Sequence, residues 1–412
     1  MAARVVLLLL VLGTAVPAAE ALQPPRRPPP PVVRRRAGLR GGPPRLAATA
    51  PVETEPANLK PYVSKLIEGE SLSREECERM FGAFVDGSAS AEQTAAILAL
   101  LRQKGESPEE ISGAAQAMLG ACVPVAATGK LLDIVGTGGD GASTINLSTA
   151  SAILCAALGA KTTKCGNRSV SSKCGAADVL EALGLDLELS VEAVARCIDD
   201  VGLGFLFAPK NHPGMRHVAP TRKALGVRTA FNILGPLTNA AGAQHVVLGV
   251  FDERLVDLMA GALERLGRVD HAVVVHGVGL DELSPLGPCT VVELTRHASG
   301  SYTTTKWTLD PLEDLGVPRC TVEDLRGGDA AFNAQALRDC LAASDDRDAK
   351  RDAIALNAAM GLYVYGAADS LKAGLDMAYA GLRLGVGLDK LDAWIAKTNE
   401  LKALDAAAAA AA

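Results

Sequence analysis

Residues 131–160 read LLDIVGTGGDGASTINLSTASAILCAALGA. The apolar run from Leu131 to Val135 has the length of a buried strand. It passes straight into a loop carrying Gly136, Gly138, Gly139 and Gly141, and the apolar stretch after Asn146 reads as a helix. Glycines let backbone N–H groups approach an anion closely, and the N-terminus of the following helix adds its dipole. Asn146, Ser148 and Thr149 supply side-chain donors at that terminus. The loop has neither the spacing of a Walker loop nor that of a dinucleotide loop. A plain strand-to-helix turn with an N-cap is the alternative; the density of hydroxyl and amide donors favours phosphate.

Working outward, KTTKCGN (161–167), HVVLGVF (245–251), HAVVVHG (271–277) and CTVVEL (289–294) are further strand candidates, several of them separated by helical stretches. Strands alternating with helices predict an α/β domain over 126–405, with a mostly parallel central sheet covered by helices. Residues 55–125 read as a small helical domain hinged to it. There, SAEQTAAILALLRQKG closes at Gly105, and Ser107 followed by Glu110 is a capping box. The stretch 191–222 reads as helix-rich; it interrupts the strands and is expected to complete the helical domain. The terminal alanine run is low-complexity and expected to fray.

The chain has 412 residues, of which 49% are hydrophobic and 3% aromatic, with a formal charge of −6. So few aromatics argue against stacking of single-stranded bases. Residues 1–50 hold eight arginines and one acid, Glu20, a balance of +7 that leaves −13 on the rest. An acidic body is a poor nucleic-acid binder, so an anionic ligand needs a local cluster of donors. Nine cysteines without repeated metal-ligand spacing predict neither a disulfide framework nor a zinc site, and suit a reducing compartment.

The leader, 1–50, has two parts. MAARVVLLLLVLGTAVPAAEALQ has the charged start, short apolar run and small residues of a signal peptide, too short to span a bilayer. The following Arg- and Pro-rich, acid-free segment resembles a transit peptide. In series they predict import into a plastid that lies within the secretory system, with no membrane segment in the mature form. Simple secretion is the alternative.

Three more segments carry chemistry. KCGNRSVSSKCG (164–175) offers Lys164, Asn167, Arg168, Ser169, Ser171, Ser172 and Lys173 to a polyanion. Its thiols, Cys165 and Cys174, leave a redox pair open, but no base for a cysteine nucleophile is readable. In VVHGVGLDELSP (274–285), Asp281 and Glu282 are adjacent carboxylates after a strand, which near phosphates suit Mg²⁺. A solvated acidic turn is the plain alternative, and His276 reads as structural. The stretch HPGMRHVAPTRKALGVRTAFNILGPLTNAAG (212–242) crowds His212, Arg216, His217, Arg222, Lys223 and Arg228 together. Its guanidinium groups suit a carboxylate, or else form a basic hinge.

In this order and combination, GTGGD, NLSTAS, KCGNRSVSSKCGAADVLEALG, the 212–242 segment and DELSP closely resemble the anthranilate phosphoribosyltransferases, from about Asn58 to Thr398. The resemblance implies transfer of the phosphoribosyl group from phosphoribosyl pyrophosphate to the amine of anthranilate, in tryptophan biosynthesis, by a homodimer paired through its helical domains. It implies that Gly136, Gly139, Asp140, Thr144, Asn146, Leu147, Ser148 and Thr149 cradle the pyrophosphate. Lys164, Cys165, Gly166, Asn167, Arg168, Ser169, Val170, Ser171, Ser172 and Ala176 would close over the phosphoribosyl group. Gly136, Asn167, His212 and Arg222 would hold anthranilate, and Ser148, Asp281 and Glu282 would hold Mg²⁺. Positioning and charge stabilisation would then carry catalysis, with no residue singled out as acid or base. The family normally has histidine at Cys165, serine at Cys174 and often serine at Ala176. A pyrimidine nucleoside phosphorylase shares the implied fold, but its HTGGTxDKLE stretch is missing here. A non-catalytic nucleic-acid-binding relative is disfavoured by the acidic body.

Overall fold

Glu110 shows how the N-terminal helices are fixed. The capping box forms: Ser107 Oγ accepts from Glu110 N–H (3.2 Å), and Glu110 Oε2 accepts from Ser107 N–H (2.8 Å). The same buried carboxylate accepts from Leu72 N–H (2.9 Å) and pairs with Lys104 (2.8 Å). It therefore ties helices Ala91–Lys104 and Pro108–Gly120 to the turn before helix Arg74–Asp86. The computed structural model describes residues 57–169 and 173–411, so the leader and the targeting reading attached to it lie outside the described residues. No helix among the described residues is long and apolar enough to cross a membrane.

Among the described residues seven strands form one sheet: β1 Leu132–Gly136, β2 Thr162–Gly166, β3 Leu203–Phe207, β4 His245–Gly249, β5 His271–His276, β6 Cys289–Arg296 and β7 Tyr302–Leu309. Their order is β3-β2-β1-β4-β5-β6-β7. The first five pair in parallel and the last two antiparallel, so the expected mostly parallel sheet is present. Successive side chains point to opposite faces, and both faces of the parallel strands are largely buried. Val247, Val273 and Val275 join the core under helices Leu147–Ala157, Ala349–Tyr365 and Val386–Ala411. Val246, Leu248, Ala272 and Val274 join the core shared with the N-terminal helices and helix Leu255–Leu266. Helix Pro108–Gly120 packs on Leu255–Leu266 and thereby docks the helical domain on the sheet. Arg265 Nε pairs with Glu109 (2.5 Å) across that seam.

Two expectations need correction. Residues 191–222 do not act as one helical insert. Helix Val191–Val201 buries Val194, Cys197 and Ile198 against β3 and the C-terminal helix, and β3 itself is a sheet strand. Only helix Met215–Leu225 returns to helices Arg74–Asp86 and Ala91–Lys104. The alanine run also does not fray at once: helix Val386–Ala411 continues through it, as the strong helix propensity of alanine permits.

Replacing Glu110 by alanine removes three side-chain hydrogen bonds, one of them the ion pair with Lys104. It is expected to cost about 3 kcal/mol, read from the denaturant midpoint. A loss under about 1 kcal/mol would contradict this account of the helical domain.

Candidate active site

The chain reverses its direction across the sheet between β1 and β4, the place where α/β sheets open a crevice at the strand C-termini. Gly136 and Gly249 end these two strands and are register partners. A Cβ on either residue would collide with Asp281, with its carboxylate at Gly136 and its backbone at Gly249. The two glycines thus make the gap that Asp281 fills. Gly138 and Gly139 turn the following loop with φ of 67° and 82°, the left-handed region that glycine adopts freely. Gly138 N–H donates to Asp281 Oδ2 (2.5 Å). The helix begins at Leu147, but Ser148 N–H already donates to Glu282 Oε1 (2.9 Å). One orphan donor of that helix end therefore serves a carboxylate.

Asp281 and Glu282 are held from below. Asn357, buried on helix Ala349–Tyr365, accepts from Leu283 N–H (3.1 Å) and donates to Leu283 O (2.7 Å). His276 Nδ1 faces Val250 O (2.8 Å) and must donate; its Nε2 faces Gly279 N–H (3.1 Å) and must accept. Both nitrogens are occupied, and His276 is structural, as its position at a strand end suggested. Burial, with the nearby Asp140 charge, pushes the Asp281 carboxyl up to about 7. Burial and then the Asp281 charge raise Glu282 well above its ordinary value, although both residues are only partly buried by surface area. Among the described residues no group of three or more His, Cys, Asp or Glu is arranged to cage a metal. Two carboxylates beside the Ser148 hydroxyl fit Mg²⁺ nonetheless, because that ion takes few protein oxygens and completes its shell with water and phosphate.

The second loop leaves β2 with Lys164 buried in the cleft wall, its Nζ donating to Cys165 O (2.8 Å). Asp178, at the start of helix Ala176–Ala182, accepts from both Ser169 N–H and Gly175 N–H (2.8 Å each) and so clamps the loop at two points. Arg168 is engaged elsewhere: it pairs with Glu181 (2.5 Å) and lies over the Phe207 ring. Asn167 Oδ1 accepts from Arg168 N–H (2.8 Å). Val170, Ser171 and Ser172 lie outside the described residues. Burial, then the charge of Asp133, raises the Cys165 thiol well above the ordinary cysteine value, although the residue is only partly buried. Burial lifts Cys174 to about 11. Both thiols stay protonated near neutral pH, which argues against a thiolate mechanism.

The third wall comes from 208–240. Burial lowers the pKa of His212; its Nε2 faces Thr238 O (3.0 Å), and its Nδ1 is buried with no hydrogen-bond partner among the described residues. Arg222 lies over the Phe231 ring, and burial lowers its pKa. It has no carboxylate partner among the described residues. Arg228 donates to Gly139 O and rests on the Phe251 ring (4.1 Å). Asn239 donates to the buried carboxylate of Asp133 (2.8 Å) and to Thr163 Oγ1 (3.0 Å), which joins this segment to β1 and β2.

These walls enclose a cleft of about 820 Å³. It gathers Gly136, Gly139, Asp140, Thr144, Asn146, Ser148, Lys164 to Ser169, Ala176, His212, Arg222, Asp281 and Glu282. Leu147 and Thr149 do not line it. Both side chains are buried in the helix core, so they can serve a ligand only through backbone. Sequence reasoning missed Asp178, Asn239, Asn333 and Asn357, and gave Arg228 no contact with the glycine loop. Asn239, Asn333, Asn357 and Arg228 are single polar residues whose partners lie far along the chain, whereas the partners of Asp178 are local.

A carboxyl whose folded pKa is raised binds extra protons in the folded chain. Its contribution to stability is therefore largest at low pH and falls as pH rises from about 4 to about 7. A divalent cation relieves the repulsion that appears over this window. Mg²⁺ with pyrophosphate is thus expected to raise the unfolding temperature more at pH 8 than at pH 5.5, and Asp281→Asn to remove most of that difference. Equal increments at the two pH values in the wild type would count against the paired-carboxylate site.

Two family models match the chain: the helical bundle domain of a glycosyl transferase family over 60–122, and its a/b domain over 128–388. The anthranilate phosphoribosyltransferase of Persephonella marina is 46% identical over 323 residues, covering 78% of this chain and 93% of that protein. The crystal structure of anthranilate phosphoribosyltransferase from Thermus thermophilus superposes with a TM-score of 0.76 at 45% identity, covering 82% of this chain and 99% of that one. The Saccharomyces cerevisiae enzyme in complex with phosphoribosyl pyrophosphate and Mg gives 0.74 at 28% identity, over 83% and 98%. The same yeast enzyme with 4-fluoroanthranilate gives 0.74 at 27% identity, with the same coverage. With its two domains matched and a cleft built at the switch point of its sheet, the chain belongs to the anthranilate phosphoribosyltransferase family.

Proposed function

We propose that this chain transfers the phosphoribosyl group of phosphoribosyl pyrophosphate to the amine of anthranilate, releasing pyrophosphate, with Mg²⁺ as cofactor. One observation carries the reading. The same cleft holds a partly buried carboxylate pair beside a glycine loop, and a half-buried guanidinium, Arg222, with no acidic partner among the described residues. The first suits a metal-bound pyrophosphate and the second an aromatic carboxylate. The relatives favour this over a nucleoside phosphorylase, since they are anthranilate phosphoribosyltransferases.

On this reading the glycine loop and Lys164 receive the phosphates, and Arg222 orients anthranilate by its carboxylate, with Asn167 and His212 alongside. Mg²⁺, when bound, offsets charge on the departing pyrophosphate. Asp281, Glu282 and Ser148 would hold it. The amine lone pair forms the bond to C1′ as the bond from C1′ to the pyrophosphate oxygen breaks, and the amine loses a proton. An aromatic amine is already nucleophilic, so the chain's contribution is alignment and charge stabilisation. Delivery to a plastid and pairing of two copies through the helical domains complete the proposal. The first rests on the composition of the leader, the second on family resemblance.

Purified protein is expected to consume anthranilate fluorescence only when phosphoribosyl pyrophosphate and Mg²⁺ are both present. Arg222→Ala should lower kcat/KM for anthranilate about 100-fold, the loss of a partly buried charge pair. Folded protein without turnover would overturn the proposal, and phosphorolysis of thymidine would favour the phosphorylase reading.

A further inference from the structure

A segment given no role in the sequence reading braces the phosphate side of the cleft. Residues 325–327 run antiparallel to 143–145. Ile145 N–H donates to Leu325 O (3.0 Å), Gly327 N–H donates to Ser143 O (2.8 Å), and Thr144 bridges Arg326. Gly327 is needed for this approach, because a Cβ there would come within 2.6 Å of Thr144 O and 2.7 Å of Asn333 Oδ1. Asn333 follows in the first turn of helix Ala330–Leu341 and is 1% exposed.

The hydrogen bonds of Asn333 fix the orientation of a second amide. Gly328 N–H can only donate, so the atom that meets it at 2.8 Å is Asn333 Oδ1. The other end of the side chain is therefore Nδ2, which can only donate, and it meets Asn146 Oδ1 at 2.9 Å. That leaves Asn146, which lines the cleft, with its Nδ2 turned away from Asn333 and 3.4 Å from Cys174 O. Asn146 makes no side-chain cap to its own helix, so nothing in that helix sets its orientation. An anion in the cleft meets an N–H rather than an oxygen.

We infer that Asn333 is a positioning residue for the phosphate site: it acts through Asn146, holding that amide with its N–H toward the anion and against the end of the second loop at Cys174. The inference rests on the proposed function only in taking the cleft to bind a polyphosphate. Asn333→Asp keeps the acceptor for Gly328 but loses the N–H for Asn146. Asn146 would then turn its Nδ2 to the new carboxylate and present Oδ1 to the ligand.

The test is titration calorimetry of phosphoribosyl pyrophosphate with Mg²⁺ into the full chain, alongside steady-state kinetics. Asn333→Asp is expected to weaken binding at least about tenfold while the KM for anthranilate changes less than about twofold. In an Asn146→Ala background the same substitution should add less than about threefold, since its route is gone. If Asn333→Asp does not fold, Asn333→Ser, too short to reach Asn146, is expected to weaken binding about threefold or more. Wild-type affinity in a folded Asn333 variant, a full tenfold loss in the Asn146→Ala background, or an equal rise in both KM values would overturn the inference alone. Absence of binding by the wild type would overturn the proposed function and this inference together.

Discussion

The site depends on a steric gap. Gly136 and Gly249 end neighbouring parallel strands at the point where the sheet's order reverses, and Asp281 fills the space that their missing side chains leave. A Cβ on either strand would push Asp281 out of the crevice, and Glu282 and Leu283 would follow it. Burial in this gap raises the Asp281 carboxyl, and its charge then raises Glu282. The pair is thus costly to ionise without a cation, and a divalent ion carrying phosphates relieves that cost. Backbone packing and electrostatic demand are the same feature seen at two levels.

An acidic body that receives a polyanion needs its positive groups to be local. Lys164 is buried in the wall, Arg228 rests on the glycine loop, and Arg222 is half-buried beside an aromatic ring. Neutral amides and backbone N–H groups supply the remaining donors. Two cysteines among these donors do not make a thiol site, because burial holds both in the protonated form. Arg168 shows that a donor in the right loop need not point at the ligand: here it is spent on Glu181 and Phe207.

Much of this was legible from residue pattern. The glycine loop, the strand that feeds it, the DELSP carboxylates and the Ser107–Glu110 box are local signals, and each lies where its pattern put it. β3, LGFLF, was absorbed into a helical reading because it is short, uniformly apolar and flanked by helices. β7, YTTTKWTL, is a polar edge strand with exposed threonines on both of its faces, so it carries no alternation signal. The supporting amides were invisible for another reason. Asn333 meets Asn146 across 187 positions, Asn239 meets Asp133 across 106, and Asn357 meets Leu283 across 74. A single asparagine carries no such information until the chain has folded. Leu147 and Thr149 show the opposite limit: a motif includes residues whose side chains pack in the core, which leaves only their backbone for a ligand.

The most direct measurement is Mg²⁺-dependent binding of phosphoribosyl pyrophosphate, by calorimetry, to the wild type and to Gly249→Ala. The account expects Gly249→Ala to retain its helical spectrum and cooperative unfolding but to lose at least about tenfold in metal-dependent affinity, because one added methyl displaces the Asp281 backbone. Undiminished affinity in Gly249→Ala would contradict the claim that the gap between the two strand ends builds the site.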